Sequence, residues 1–360
     1  MPRIPHALLA DFVASIFEAV GVPAADASIT ARSLVDSNLR GHDSHGVIRV
    51  PQYVDFLEKG EYKIGVDLKI ESESPAIVVC DGGWGLGQVQ ARRLLDHAIE
   101  RALKFGLGAA TAHSCGHIGR LGEYAEIAAE AGLILEATVN NGGAGQRVAP
   151  PGGTEPRLGT NPLCIGVPTD TDPIILDFGT SVVAEGKVRV YYLNGKKPVP
   201  EGWLLDSKGN PTTDSSVLYE PPLGSILPMG GAQAYKGFGL GLVLDMLAGG
   251  LSGGRSSNPS VNAFAKGNNV VFLAIDPAGF AGREALTRES TQLARFVADC
   301  PRAPGVDSIL LPGDPERRTL AERSTAGIPL EPAHWERLTS PATRLEVAIP
   351  NLERIDPTTS

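Results

Sequence analysis

No apolar run in this 360-residue chain reaches the roughly 20 residues that a membrane-spanning helix needs. Its four cysteines, Cys80, Cys115, Cys164 and Cys300, form no C-x-x-C pair and stand mostly inside apolar stretches. That excludes a disulfide frame and implies buried thiols in a reducing compartment. Excess basic charge is also lacking. The formal net charge of -9 argues against nucleic acid, whose phosphates require a basic face. Residues 1–6 do not lead into an apolar segment with a small-residue cleavage site, so a soluble cytoplasmic protein is expected. Two fingerprints are missing as well. Gly85-Leu86-Gly87 meets Gln90, and Gly237-Phe238-Gly239 meets Leu242, where the third glycine of G-x-G-x-x-G would stand; there is no P-loop. A dinucleotide, if bound, is held by something other than a Rossmann turn.

What is present is concentrated. Residues 41–53 pack His42, Asp43, Ser44, His45 and Arg49 between Gly41 and a helix-opening Pro51, with Tyr53 just beyond it. Histidine exchanges protons near neutral pH, and arginine clamps a carboxylate with two parallel bonds. The combination suits proton transfer on a small organic acid; a solvated polar turn is the bland alternative. A second cluster, His113-Ser114-Cys115-Gly116-His117, brings four of the seven histidines into two short segments.

Apolar periodicity predicts helices through residues 6–39, broken at Gly21-Val22-Pro23, then from Pro51 to Gly60. Further helices are expected over Val89–Phe105, Tyr124–Ala131, Phe238–Leu247 and Arg283–Asp299. Strands are expected at Val78–Cys80, Leu133–Val139, Ile174–Asp177 and Val270–Ile275. The stretch 140–145 cannot be regular, residues 194–216 read as a loop-rich insertion, and Leu311–Glu316 as a tight turn. Alternating helices and strands define an α/β sheet domain.

Three motifs compete for the function. Gly250-Leu251-Ser252-Gly253-Gly254 spells the hydrolase elbow, but its serine follows a helix instead of a strand, so the glycines are expected to end that helix. His42, His45, His113, Cys115 and His117 could supply zinc ligands for a metal-dependent hydrolase, at spacings that match no established pattern. The glycine-rich centre frees backbone amides for an anion, with Thr180, Ser181, Lys187 and the helix-heading Lys236 as neighbours.

Taken together, the segments resemble the type 2 malate/L-lactate dehydrogenases over nearly the whole chain. The resemblance rests on Ser44-His45-Gly46-Val47 with Arg49 and Tyr53, Gly116-His117-Ile118-Gly119, Leu158–Leu163, Leu176–Ser181, Ala184–Lys187, Leu227–Gly230, Lys236-Gly237 and Leu311-Pro312-Gly313. Its relatives include sulfolactate and ureidoglycolate dehydrogenases and the Δ1-piperideine-2-carboxylate reductases. The chain departs from the family in a longer run at 230–236 and in Arg120, which follows the His117 block.

The resemblance implies a non-Rossmann α/β fold: a mixed sheet with helices (76–284), and a helical substrate and dimer-contact domain from residues 1–75 and 285–360. It implies NAD or NADP as cofactor, no metal, and a homodimer whose active site is shared between subunits. The reaction interconverts a 2-hydroxy acid and a 2-oxo acid, with reduction of a cyclic imino acid as the alternative. His45 would be the acid–base residue, His117 a co-candidate, and Ser44 and Asp177 would orient His45 or relay its proton. Arg49 would hold the substrate carboxylate beside Tyr53. Cofactor contacts would fall on Asn141, Pro173, Ile174, Ile175, Leu176, Asp177, Phe178, Gly179, Thr180, Ser181, Tyr235, Lys236, Gly313, Asp314 and Pro315.

Overall fold

A computed structural model describes residues 3–258 and 267–351. Its centre is a seven-stranded sheet built from β1 (Lys69–Glu73), β2 (Ile77–Asp81), β3 (Leu107–Gly116), β4 (Ile134–Asn140), β5 (Pro162–Val167), β6 (Ile174–Gly179) and β7 (Gly267–Ile275). The spatial order is β1-β2-β3-β7-β4-β5-β6. Only β2 and β3 run parallel; every other neighbouring pair is antiparallel. The expected mixed, non-Rossmann α/β sheet is therefore the one observed.

Helices α1 (His6–Ala19), α2 (Ala24–Leu39) and α3 (Val50–Glu58) form with the expected breaks. Their apolar faces meet residues Ile328, Leu330, Leu338 and Ala342 from the far end of the chain in one hydrophobic core. A second core lies on the sheet, beneath α4 (Gly87–Phe105) and α5 (Gly122–Glu130). Gly87 brings α4 hard against the second histidine cluster: a Cβ there would lie 2.2 Å from the His117 carbonyl oxygen. A third, small core joins Val148, Val183, Val188 and Leu204 beside α6 (Glu185–Leu193).

Helices α7 (Ala234–Leu251), α8 (Arg283–Ala298), α9 (Asp314–Ala326) and α10 (Pro332–Arg344) complete the chain. The turn expected at residues 311–316 closes at once into α9, because the Asp314 carboxylate accepts the Leu311 N–H at 2.7 Å. Ser252 ends α7 and is wholly buried, its hydroxyl donating to the Ala248 carbonyl, so it is no nucleophile. Cys80, Cys115 and Cys164 are buried as expected; Cys300, at the exposed end of α8, is not. No helix among the described residues is long and apolar enough to cross a membrane.

Candidate active site

Two 3₁₀ turns, Asp43–His45 and Val47–Arg49, carry the first histidine cluster between α2 and α3. Asn38 of α2 fixes them from below, accepting the Val47 N–H at 2.8 Å and donating to Asp43 at 2.6 Å. Arg323 of α9 grips Asp43 with both terminal nitrogens, at 2.7 and 3.1 Å. Segments nearly 300 residues apart thus set the position of His45.

His45 and His117 stack with ring centroids 5.5 Å apart and planes 22° apart. Each Nδ1 is engaged: Ser44 Oγ lies 3.0 Å from that of His45, and Tyr53 Oη 2.6 Å from that of His117. Among the described residues neither Nε2 has a hydrogen-bond partner. Burial, reinforced by Arg49, His42 and Arg120, lowers the His45 pKa to about 3. His117 falls well below its ordinary value for the same leading reason, with Arg49 and His45 adding to it. Both imidazoles are neutral at pH 7.

Both rings line a cavity of about 200 Å³ together with Arg49, Gln52, Asn141, Arg147, Glu185, Arg189 and Asn268. Arg49 donates from Nε to the Ser44 carbonyl at 2.8 Å and from Nη1 to Gln52 at 3.1 Å. No carboxylate lies within ion-pair reach of it among the described residues, and burial draws its pKa below the ordinary arginine value. Glu185 is already committed, accepting from Arg189 at 2.9 and 3.1 Å and from Tyr219 at 2.8 Å. Those partners hold it below the usual carboxylate range despite its burial.

The cavity shares His45, Gly119, Thr160, Pro162, Ala184 and Gly186 with a neighbouring groove of about 850 Å³. Asp177, Phe178, Gly179 and Ser181 at the end of β6, with Lys187 and Pro315, line that groove. Gly186 lets α6 close against the histidine turn, since a Cβ there would stand 2.5 Å from Ser44 Cβ. Lys187 is exposed and makes no ion pair among the described residues.

The structure separates some of the expected residues. Tyr53 is fully buried and lines neither space; its hydroxyl is spent on His117 and on Gln88, so it supports the histidine from beneath instead of facing a substrate. The Asp177 carboxylate accepts from the Gly122 N–H at 2.7 Å and has no bond to His45. Burial raises its pKa, with His42, Arg120 and the Gly122 N–H pulling the other way. Ile175 on β6 and Thr180 just beyond it are buried, Thr180 donating to the Thr160 and Asn161 carbonyls. Pro173 and Asp314 are tied to Arg317, and Gly313 precedes α9. Ile174 and Leu176 lie on β6 outside the lining of both spaces. Tyr235 and Lys236 stand exposed at the start of α7, and neither lines the cavity or the groove.

The proposed zinc ligands disperse. His42 pairs with Glu316 and Cys115 is buried, while His113 faces Glu71 and Asp81. That last trio is the only group of three possible ligands among the described residues, and it includes neither His45 nor His117. Sequence reasoning missed Arg147, Arg189 and Asn268 in the cavity, because nothing local marks residues that meet only through the fold. Arg120 proves to be a buried cation held by Asp36 and Glu126 at 3.0 and 2.7 Å.

The profile of the malate/L-lactate dehydrogenase family matches residues 4–339. A malate dehydrogenase of Pyrococcus horikoshii is 36% identical over 351 residues, covering 96% of each chain. A solved malate dehydrogenase from that organism superposes with a TM-score of 0.86 at 32% identity, covering 96% of both chains. An L-sulfolactate dehydrogenase of Methanocaldococcus jannaschii is 37% identical over 317 residues, 86% of this chain and 88% of the relative. A Δ1-piperideine-2-carboxylate reductase of Pseudomonas syringae superposes with a TM-score of 0.81 at 27% identity, over 95% of this chain and 100% of that one. The protein is thus an oxidoreductase of the hydroxy-acid dehydrogenase class. It belongs to the malate/L-lactate dehydrogenase family.

Proposed function

We propose that this enzyme interconverts a 2-hydroxy acid and a 2-oxo acid with NAD or NADP, using His45 as the acid–base residue and Arg49 as the carboxylate clamp. The observation that carries the reading is Arg49 itself: a half-buried guanidinium with no carboxylate in ion-pair reach among the described residues, on the same cavity as two neutral imidazoles. Such a charge is costly unless a ligand supplies the anion. With the acid's carboxylate on Arg49, its 2-oxygen is held for an imidazole, and His45 takes the hydroxyl proton in oxidation or returns it in reduction. Ser44 at Nδ1 keeps His45 oriented with Nε2 free. Tyr53 does the same for His117, the second acid–base candidate.

The groove beside His45 fits a dinucleotide. Gly41, Gly119, Gly179 and Gly186 leave it open, and unpaired Lys187 at its lip can meet a phosphate in a chain that is otherwise negative. Asp177, Phe178, Gly179, Ser181 and Pro315 would hold the cofactor on the groove side, and Asn141 on the cavity side. When bound, the nicotinamide supplies the hydride acceptor or donor.

The cyclic imino-acid alternative is favoured by the likeness to the piperideine carboxylate reductase, since an imine carbon accepts hydride beside the same carboxylate clamp. We read residues 1–75 with 285–360 as the helical domain and 76–284 as the cofactor domain; two hydrophobic cores support two units, but the structure shifts the boundary, since β1 (Lys69–Glu73) joins the sheet and Leu86 and Val89 pack into the helical core. A homodimer is supported by the apolar stripe that α7 exposes at Tyr235, Val243, Met246 and Leu251. Three buried, unpaired thiols favour a cytoplasmic location. Reduced-nicotinamide absorbance with a panel of 2-oxo acids and cyclic imines tests the reading; turnover that needs no cofactor and is lost to a chelator would contradict it.

A further inference from the structure

We infer that Gln88, acting through Tyr53, fixes His117 in the tautomer that carries its proton on Nε2, so that His117 serves the reaction as a hydrogen-bond donor to the substrate oxygen and not as its base. The inference rests on the 2-hydroxy acid reading above and divides the work of that site between the two histidines. Gln88 stands in the first turn of α4 and is wholly buried. Gly87 lets that turn press on the His117 carbonyl, and the close approach brings the next side chain to Tyr53. Gln88 Nε2 donates to Tyr53 Oη at 3.2 Å. Among the described residues that hydroxyl has two further contacts, His117 Nδ1 at 2.6 Å and the His117 carbonyl at 3.3 Å.

A phenol has one proton to give and lone pairs that receive. Burial pushes the Tyr53 pKa up to about 12, so the proton stays on the oxygen. With the Gln88 amide donating to that oxygen, the O–H is directed at Nδ1, the nearer acceptor. His117 is neutral and has one proton to place, which leaves it on Nε2. The His117 lone pair is then spent on Tyr53, and the nitrogen left for a ligand is an N–H. A positioned N–H stabilises the charge that gathers on the carbonyl oxygen during reduction. His45 differs: Ser44 Oγ has His45 Nδ1 as its only hydrogen-bond partner among the described residues, so the hydroxyl can turn either way. His45 can therefore present a lone pair or a proton at Nε2, as an acid–base residue must.

The test records histidine-selective ¹⁵N spectra of the full chain, with His117 assigned by its loss in His117→Ala, beside kcat and KM for 2-oxo acid reduction. Wild type should show His117 protonated at Nε2 and bare at Nδ1. In Gln88→Glu an ionised carboxylate accepts the Tyr53 O–H, so Nδ1 must donate to Tyr53 and the proton should leave Nε2 as pH rises. kcat should fall with it by roughly 10²–10³-fold, the worth of one such donor, with KM little changed. Gln88→Met, apolar and of similar length, should give a mixture of tautomers and a smaller loss, and it serves if the buried glutamate prevents folding. A wild-type proton on Nδ1, or the same tautomer in every variant, would overturn the relay. A moved proton with unchanged kcat would overturn the donor role. No turnover with any 2-oxo acid, beside the expected spectra, would overturn the 2-hydroxy acid reading and leave the relay standing.

Discussion

His45 and His117 form a stacked pair of neutral imidazoles, 5.5 Å between centroids, with the hydroxyl of Ser44 at Nδ1 of the first and that of Tyr53 at Nδ1 of the second. Both rings line one cavity, neither Nε2 has a hydrogen-bond partner among the described residues, and single substitutions separate their roles. His45→Ala should lower turnover by roughly 10²–10⁴-fold with cofactor affinity unchanged, the usual worth of a positioned acid–base group. Ser44→Ala should cost less, because it removes the orienting bond and spares the imidazole. Near-normal turnover in His45→Ala, with collapse in His117→Ala, would move the role to His117.

The pH dependence follows from the lowered pKa of His45, about 3 in the free enzyme. Oxidation needs the neutral base, which is already formed above that value. kcat/KM for the hydroxy acid should therefore show no acid limb from His45 between pH 5 and 7. Reduction needs the protonated form, whose population falls roughly tenfold per pH unit above its pKa. kcat/KM for the oxo acid should decline accordingly from pH 5 to 8. A break near the ordinary histidine value in both directions would contradict this assignment.

Arg49 should trade stability for activity. Arg49→Met removes a desolvated charge with no counterion, so the thermal midpoint should hold or rise. kcat/KM should fall by roughly 10²-fold or more, because the substrate carboxylate loses its anchor and the reacting carbon its orientation. Arg49→Lys, which keeps the charge and loses the planar fork, should weaken substrate use more than cofactor binding. A variant that is less stable and fully active would remove Arg49 from the site.

Local chemistry made part of this architecture readable in advance. The helix ending at Gly106, the break at Gly21–Pro23 and the buried strands all appear where periodicity puts them. Other elements carry no such signal. α9 has no buried residue and hence no apolar stripe, β1 is exposed along its whole length, and β5 opens on a proline. In the site, the adjacent pair Ser44–His45 could be read from order along the chain. The contacts of Tyr53 with His117 and of Asp177 with Gly122 could not, because they join residues 64 and 55 positions apart.

The cation proposed to meet the cofactor is a second such case. The sequence offers Lys187 and Lys236, and the fold sets only Lys187 on the groove that adjoins His45. Lys187→Ala should raise the cofactor dissociation constant, more so at low salt where charge attraction is least screened. Calorimetry on both variants checks this: a weakened Lys236→Ala beside an unchanged Lys187→Ala would reverse the placement.

The most direct test of the whole account follows reduced-nicotinamide absorbance after adding a 2-oxo acid, with wild type and His45→Ala side by side in the presence of a chelator. Wild type should consume the reduced cofactor only when the oxo acid is present, unaffected by the chelator, and His45→Ala should be slower by roughly 10²–10⁴-fold. Consumption that is equally fast in both proteins, or none with any 2-oxo acid or cyclic imine, would contradict it.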